Sequence, residues 1–233
     1  MTGKEPELSS YPASLPHIGV KICGVRDLEA LQVAAQAGAD WIGLVFFSRS
    51  PRYLTPTQAA ALVSSYKGSL PRLTGLFVKA SDETIQTALD EIDLDILQIY
   101  DTPERAQAIR QRFGKPVWLS CAVHTADDLP ADAEFDGYVI EPRAPKNAAN
   151  PGGNGVALNW SILRHWRPTV PWMLAGGLTP ENVGPAILQS GAPAVDVSSG
   201  VETRPGEKSA ELIRNFVKNA RSAGHGPCAT IRN

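Results

Sequence analysis

The sequence has little cysteine, and none of it is spaced for joint work. Its three cysteines, Cys23, Cys121 and Cys228, form an odd set without CxxC spacing. That pattern argues against a disulfide framework and against a zinc site, and it fits a reducing cytoplasm. No apolar run approaches the ~18 residues needed to span a bilayer. The first seventeen residues carry no apolar core after Lys4, so no signal peptide is expected. Neither sign of charge is in large excess: the net charge is −2, so nothing suggests a nucleic-acid or anionic-membrane surface. A dinucleotide fingerprint is also missing. The cluster Gly152-Gly153-Asn154-Gly155 lacks its spacing and does not directly end a strand.

What is present is alternation. Eight β-rich runs are expected, at 19–23, 41–47, 73–78, 95–100, 117–123, 137–141, 172–175 and 194–198. Between them lie amphipathic stretches. Ile85, Leu89 and Ile92 share a helical face, as do Ala106, Ile109 and Phe113. Val183, Ala186 and Ile187 repeat the pattern, and Leu212, Ile213, Phe216 and Val217 close it. The stretch 125–132 is the least helical, because Pro130 intrudes. Such alternation implies right-handed βαβ units and a parallel sheet. Eight units close into a single (β/α)8 TIM barrel, with an open doubly wound sheet as the alternative. The expected division is an extension at 1–17, the barrel at 18–221 and a tail at 222–233.

A barrel gathers function at the C-terminal ends of its strands. Lys21 and Cys23 alternate onto one face of the first strand, toward the interior. A thiol near an ammonium can have a lowered pKa and serve as a base; the plainer alternative is a small buried hydrophobe. The loop after the second strand carries Arg49 and Arg52, whose forks suit a carboxylate or phosphate. The sixth strand ends on Glu141. If it faces inward, a raised pKa allows proton donation; otherwise it ion-pairs with Arg143 at the loop edge. Gly176-Gly177, followed by a helix start at Thr179-Pro180-Glu181-Asn182, and Asp196-Val197-Ser198-Ser199-Gly200 follow strands seven and eight. Those are the loops where barrels recurrently bind phosphate.

Several segments then occur in one order. They are Lys21-Ile22-Cys23-Gly24-Val25, Gly38-Ala39-Asp40 with Gly43, Ser50-Pro51-Arg52-Tyr53, the 152–155 glycine cluster with Asn159-Trp160, Leu174-Ala175-Gly176-Gly177-Leu178 with Pro180-Glu181-Asn182-Val183, and Val195-Asp196-Val197-Ser198-Ser199-Gly200-Val201-Glu202 with Pro205-Gly206-Lys208. Over residues 18–220 the chain resembles the phosphoribosylanthranilate isomerases of tryptophan biosynthesis. The resemblance implies an Amadori rearrangement, an aldose–ketose isomerisation that needs no metal or organic cofactor because the substrate nitrogen is the electron sink. It implies Cys23 as general base and Arg52 as holder of the anthranilate carboxylate. Gly176, Gly177, Ser199 and Gly200 bind phosphate by the same inference, with Lys21 and Asp196 beside them. The partner is a small phosphosugar; nucleic acid and membrane are not expected, and both monomer and homodimer remain open.

Two departures stand out. The family usually ends strand six on an aspartate acid, where this sequence has Glu141. Its fourth strand usually ends Gln-Leu-His-Gly, and here the run is Gln98-Ile99-Tyr100-Asp101. Tyr100 can act as a donor, reshape the anthranilate pocket or fill space, while Asp101 is an alternative acid pointing the other way. The 145–151 loop also looks stretched. Two other functions compete: a related isomerase with a different aglycone, and a non-catalytic phosphosugar-binding barrel.

Overall fold

The computed structural model describes residues 17–131, 134–143 and 158–223. Eight parallel strands close on themselves in sequence order, β8 returning to pair with β1. They are β1 (Gly19–Cys23), β2 (Trp41–Val45), β3 (Arg72–Val78), β4 (Ile96–Tyr100), β5 (Val117–Val123), β6 (Gly137–Pro142), β7 (Trp172–Leu174) and β8 (Ala194–Val197). The closed barrel leaves no open sheet edge, so the doubly wound alternative is excluded.

Helices α1 (Leu28–Ala37), α2 (Pro56–Ser65), α3 (Asp82–Glu91), α4 (Pro103–Phe113), α5 (Val183–Ser190) and α6 (Ala210–Ala223) pack outside. Their starts are written locally. Asp27, Thr55, Ser81 and Thr102 each cap a helix by accepting a backbone N–H from the first turn, and Pro56 and Pro103 sit where a missing N–H costs nothing. Asp27, Ser81 and Thr102 follow their strands by two to four residues, whereas Thr55 lies ten residues after β2, leaving the longer loop that carries Arg52. The expected helix over 125–132 is replaced by a short 3-10 turn, Ala126–Asp128, in which Asp128 accepts from the N–H groups of His124 and Thr125. The expected helix start at Thr179 is also corrected: residues 180–182 form a turn, and α5 begins at Val183. There the Asn182 side chain accepts from Thr179 N and donates to Gly177 O, holding the chain in a turn before the helix begins. Strands two, seven and eight end one or two residues earlier than expected, as the backbone leaves for the loops.

Alternation stacks the inward residues in layers. The floor is apolar: Trp41, Ile96, Trp118, Val139, Met173 and Ala194 form one cluster, with Trp41 and Trp118 at 5.9 Å between ring centroids. Above it lies a polar layer containing Lys21, Gln98 and Asp196, all buried. The uppermost layer, around Cys23, Val45, Leu76 and Tyr100, opens to solvent. Gly43, paired with Cys23 in register, has a structural reason to be glycine. A Cβ there would lie 2.7 Å from Cys23 Sγ, so a side chain would displace the thiol.

Candidate active site

A cavity open to solvent sits at the C-terminal end of the strands, the place where barrels of this kind gather their chemistry. Its lining includes Cys23, Arg52, Glu141, Gly176, Gly177, Asp196, Ser199 and Gly200. Lys21 lies beneath, in the polar layer, where it reaches Asp196 from below. The residues that the resemblance assigns to the site are thus brought to one place, while Arg49 is not among those lining the cavity. Asp101 is not among the lining residues, whereas Tyr100 is.

The first group is a buried ion pair. Lys21 Nζ donates to Asp196 Oδ2 at 2.9 Å and to Gln98 Oε1 at 2.8 Å, with side-chain exposures of 1% for Lys21 and 8% for Asp196. Burial pulls the Lys21 pKa down, but Asp196 and then Cys23 outweigh it, so the ammonium is held charged above its ordinary value. Asp196 Oδ1 is buried and has no hydrogen-bond partner among the described residues. An unpaired carboxylate oxygen at a cavity wall is an acceptor waiting for a donor.

Cys23 corrects the sequence reading. Burial pushes its thiol pKa up, and the opposing pull of Lys21 and Lys208 does not reverse it. The thiol form therefore dominates at neutral pH. Glu141 moves the same way: it is buried, carries no ion pair to Arg143, and is pushed up to about 8, chiefly by burial, against a lowering hydrogen bond from Tyr100. Arg143 pairs instead with Asp128 at 2.8 Å. At neutral pH Glu141 is largely a neutral acid with a proton to give.

The second charged group was not expected from the sequence. Arg52 donates through Nε and Nη2 to Glu202, at 2.7 and 2.8 Å, and Lys208 Nζ donates to the same carboxylate at 2.8 Å. Burial alone would raise the Glu202 pKa, but the bonds from Arg52 and Lys208 hold it below the ordinary range. Glu202 and Lys208 lie on a small antiparallel hairpin after β8, formed by β9 (Glu202–Arg204) and β10 (Glu207–Lys208). Lys208 also donates to Ser198 O at 2.9 Å, and Ser198 Oγ donates to Cys23 O at 3.1 Å. One hairpin thereby ties the arginine loop, the serine loop and the end of β1. Glu202 and Lys208 stood in the resembling segments without a role, since spacing alone could not show that they turn back to Arg52. Gln98 was legible in principle, by alternation with Tyr100.

Gly176 forms part of the opposite rim. Its φ of +86° lies in the left-handed region, and a Cβ there would run into the ring of Pro142 at the end of β6. The backbone turns tightly there, beside the loop carrying Ser199 and Gly200, leaving a pocket edged by small residues.

Comparison with known proteins agrees with this geometry. The family model described as N-(5'phosphoribosyl)anthranilate (PRA) isomerase matches residues 20–219. An N-(5'-phosphoribosyl)anthranilate isomerase of Acidiphilium cryptum is 50% identical, covering 87% of this chain and 98% of its own. The protein of that name from Paramagnetospirillum magneticum is 48% identical, covering 88% and 97%. Among solved structures, the phosphoribosyl anthranilate isomerase of Thermotoga maritima superposes with a TM-score of 0.75 at 31% identity, covering 88% of this chain and 99% of its own. Another, in complex with reduced 1-(o-carboxyphenylamino)-1-deoxyribulose 5-phosphate, gives a TM-score of 0.72 at 31% identity with the same coverage. With a closed barrel, a site at its C-terminal rim and a family match over nearly the whole barrel, the chain belongs to the N-(5'-phosphoribosyl)anthranilate isomerase family.

Proposed function

We propose that the chain converts N-(5-phosphoribosyl)anthranilate to 1-(2-carboxyphenylamino)-1-deoxyribulose 5-phosphate, with Glu141 as general acid and Cys23 as general base. The observation that carries this reading is one cavity lined by a neutral buried carboxyl from β6, a thiol from β1 beside a fixed ammonium, and a loop arginine. Glu141 gives its proton to the furanose ring oxygen; the C1–O bond breaks as the anthranilate nitrogen forms a double bond to C1, leaving an iminium on that nitrogen. That cation, together with Lys21, favours the thiolate of Cys23, because opposite charge nearby lowers a thiol pKa. Cys23 removes the C2 proton and the electron pair flows to nitrogen, giving the enolamine. Protonation at C1 and loss of the O2 proton complete the ketone, so the isomerisation is proton-neutral overall. No step calls on a cofactor.

The polar groups divide the substrate between them. Arg52 retains Nη1 without a hydrogen bond among the described residues, available for the anthranilate carboxylate. Gly176, Gly177, Ser199 and Gly200 receive the phosphate, and Asp196 Oδ1 accepts from a substrate N–H or hydroxyl. Lys21 acts from beneath by holding Asp196. The small phosphosugar is the partner, with the cytoplasm as the place of work and 18–221 as the working barrel between an extension and a tail. One solved relative consists of monomers generated from the dimeric phosphoribosylanthranilate isomerase of Thermotoga maritima, and for this chain monomer and homodimer both fit the reading.

Loss of anthranilate fluorescence on incubation with the phosphoribosylamine tests the activity directly. Turnover by the wild-type chain and its collapse in Cys23→Ala are the expected results. Full activity in Cys23→Ala removes the base assignment, and binding without turnover by the wild-type chain removes the isomerase reading.

A further inference from the structure

One series of hydrogen bonds in the barrel can run in only one direction. The Lys21 ammonium donates and never accepts, so the Gln98 atom 2.8 Å away must be its amide oxygen. The amide nitrogen then faces the opposite way, toward Ser120 Oγ at 2.9 Å and the Tyr100 hydroxyl at 3.4 Å. An amide nitrogen only donates, so both oxygens accept from it. With the Gln98 amide donating to its oxygen, Tyr100 turns its own proton to Glu141 Oε2, at 3.3 Å.

Glu141 therefore has two unlike oxygens. Oε2 receives the tyrosine proton, and Oε1 has no hydrogen-bond partner among the described residues, in a side chain that lines the cavity. We propose that Tyr100 is a positioning residue for the acid: by donating to Oε2 it confines the transferable proton of Glu141 to Oε1, and after transfer it stabilises the carboxylate left behind. The inference rests on Glu141 being the acid. It gives Tyr100 a chemical task, and it makes the buried Lys21 the source of the direction of the whole series.

The test is Tyr100→Phe, alone and in a Glu141→Gln background, in single-turnover assays at high enzyme concentration. Loss of a hydrogen bond to a charge-developing group is expected to lower the wild-type rate about 10- to 100-fold, with KM changed much less. In the Glu141→Gln background the same substitution is expected to cost less than about twofold, because Tyr100 acts through the carboxyl. Equal losses in both backgrounds overturn the proposal, as does no loss in the wild type. Wild-type speed in Glu141→Gln alone instead overturns the acid assignment beneath it. A second readout is the pH profile. Glu141 is faced by Lys21 from β1, Tyr100 from β4, Cys121 from β5 and Asp196 from β8, with Cys23 of β1 facing Tyr100 in the same cavity. Only the tyrosine bond is removed, and that bond favours the carboxylate, so the limb near pH 8 moves to higher pH. A limb that stays in place while the rate falls overturns the proposal. Should Tyr100→Phe fail to fold, Gln98→Met removes the upstream donor at similar volume, and its limb is expected to move the same way by less. No movement there counts against the series.

Discussion

The two sides of the cavity are built on opposite principles. The wall of β8, β1 and the β2 loop is charged and already paired: Lys21 with Asp196 at 2.9 Å, and Arg52 and Lys208 with Glu202 at 2.7 and 2.8 Å. The wall of β4 and β6 is mostly neutral near pH 7, with Tyr100 and Glu141 joined by a longer bond of 3.3 Å. Short charge-assisted bonds hold groups in place, while a protonated carboxyl in a weaker bond is free to release its proton. The difference separates geometry from chemistry. One wall is preorganised without a ligand, and the other is poised to change its protonation. Cys23 stands where they meet, beside the fixed ammonium yet itself a thiol at rest.

The largest effect should come from the meeting point. Removing a general base costs about 10²- to 10⁴-fold, so Cys23→Ala is expected to lower kcat within that range while leaving KM nearly unchanged. Glu141→Gln is expected to fall in the same range. Fluorescence-monitored turnover checks both. If Cys23→Ala loses binding as well as rate, the thiol belongs to the preorganised wall after all.

Next comes pH. The active form needs Glu141 protonated and Cys23 as thiolate, yet both pKa values are raised. Its population therefore climbs as pH rises toward about 8, levels while Glu141 and Cys23 both ionise, and falls once the thiol is spent. kcat/KM is expected to increase steeply between pH 6 and 8, by at most about tenfold per pH step of one. The sequence reading of a lowered thiol pKa makes the opposite forecast, a flat profile through that window. A flat profile would mean that Lys21 outweighs burial at Cys23.

The charged wall is sharpened by a stability measurement. Lys21→Met leaves Asp196 buried without its cation, and breaking a buried pair from one side costs about 3–5 kcal/mol. Replacing both partners, as Lys21→Met with Asp196→Leu, is expected to recover most of that loss in urea unfolding. Catalysis should not recover, since Asp196 Oδ1 is lost as an acceptor. Recovery of activity in the double variant would show that the pair is only structural.

How much of this was readable in the chain follows from the range of each interaction. Period-two alternation is local, so Lys21 and Cys23 could be placed on one inward face, whereas the helix start read at Thr179-Pro180 gave way to a turn held by Asn182. The glycine and serine loops were legible because barrel topology fixes where loops after strands seven and eight must lie. Less visible were the sums of opposing effects. That Lys21 neighbours Cys23 could be read, but that burial outweighs it depends on packing around both. Glu202 reaching Arg52 joins positions 150 residues apart, and no spacing rule announces such a return. Tyr100 and Glu141 each stood out as departures, whereas their contact emerges only when β4 and β6 face each other across the barrel.

The smallest effect probes whether the charged wall needs its charge or only its shape. Glu202→Gln keeps an acceptor oxygen for Arg52 but replaces the other with a donor, and it removes the negative charge between Arg52 and Lys208. Two cations left near each other repel, and Arg52 can no longer be held as a bidentate fork. Because Arg52 is assigned to the substrate carboxylate before and after the proton moves, its loss of position should weaken ground state and transition state alike. KM is thus expected to rise about tenfold, roughly 1.4 kcal/mol, with kcat little changed. Glu202→Asp keeps the charge on a shorter stem and is expected to fall between the two. A drop in kcat at constant KM would place Glu202 in the proton chemistry, and the division between a holding wall and a reacting wall would then fail at its clearest point.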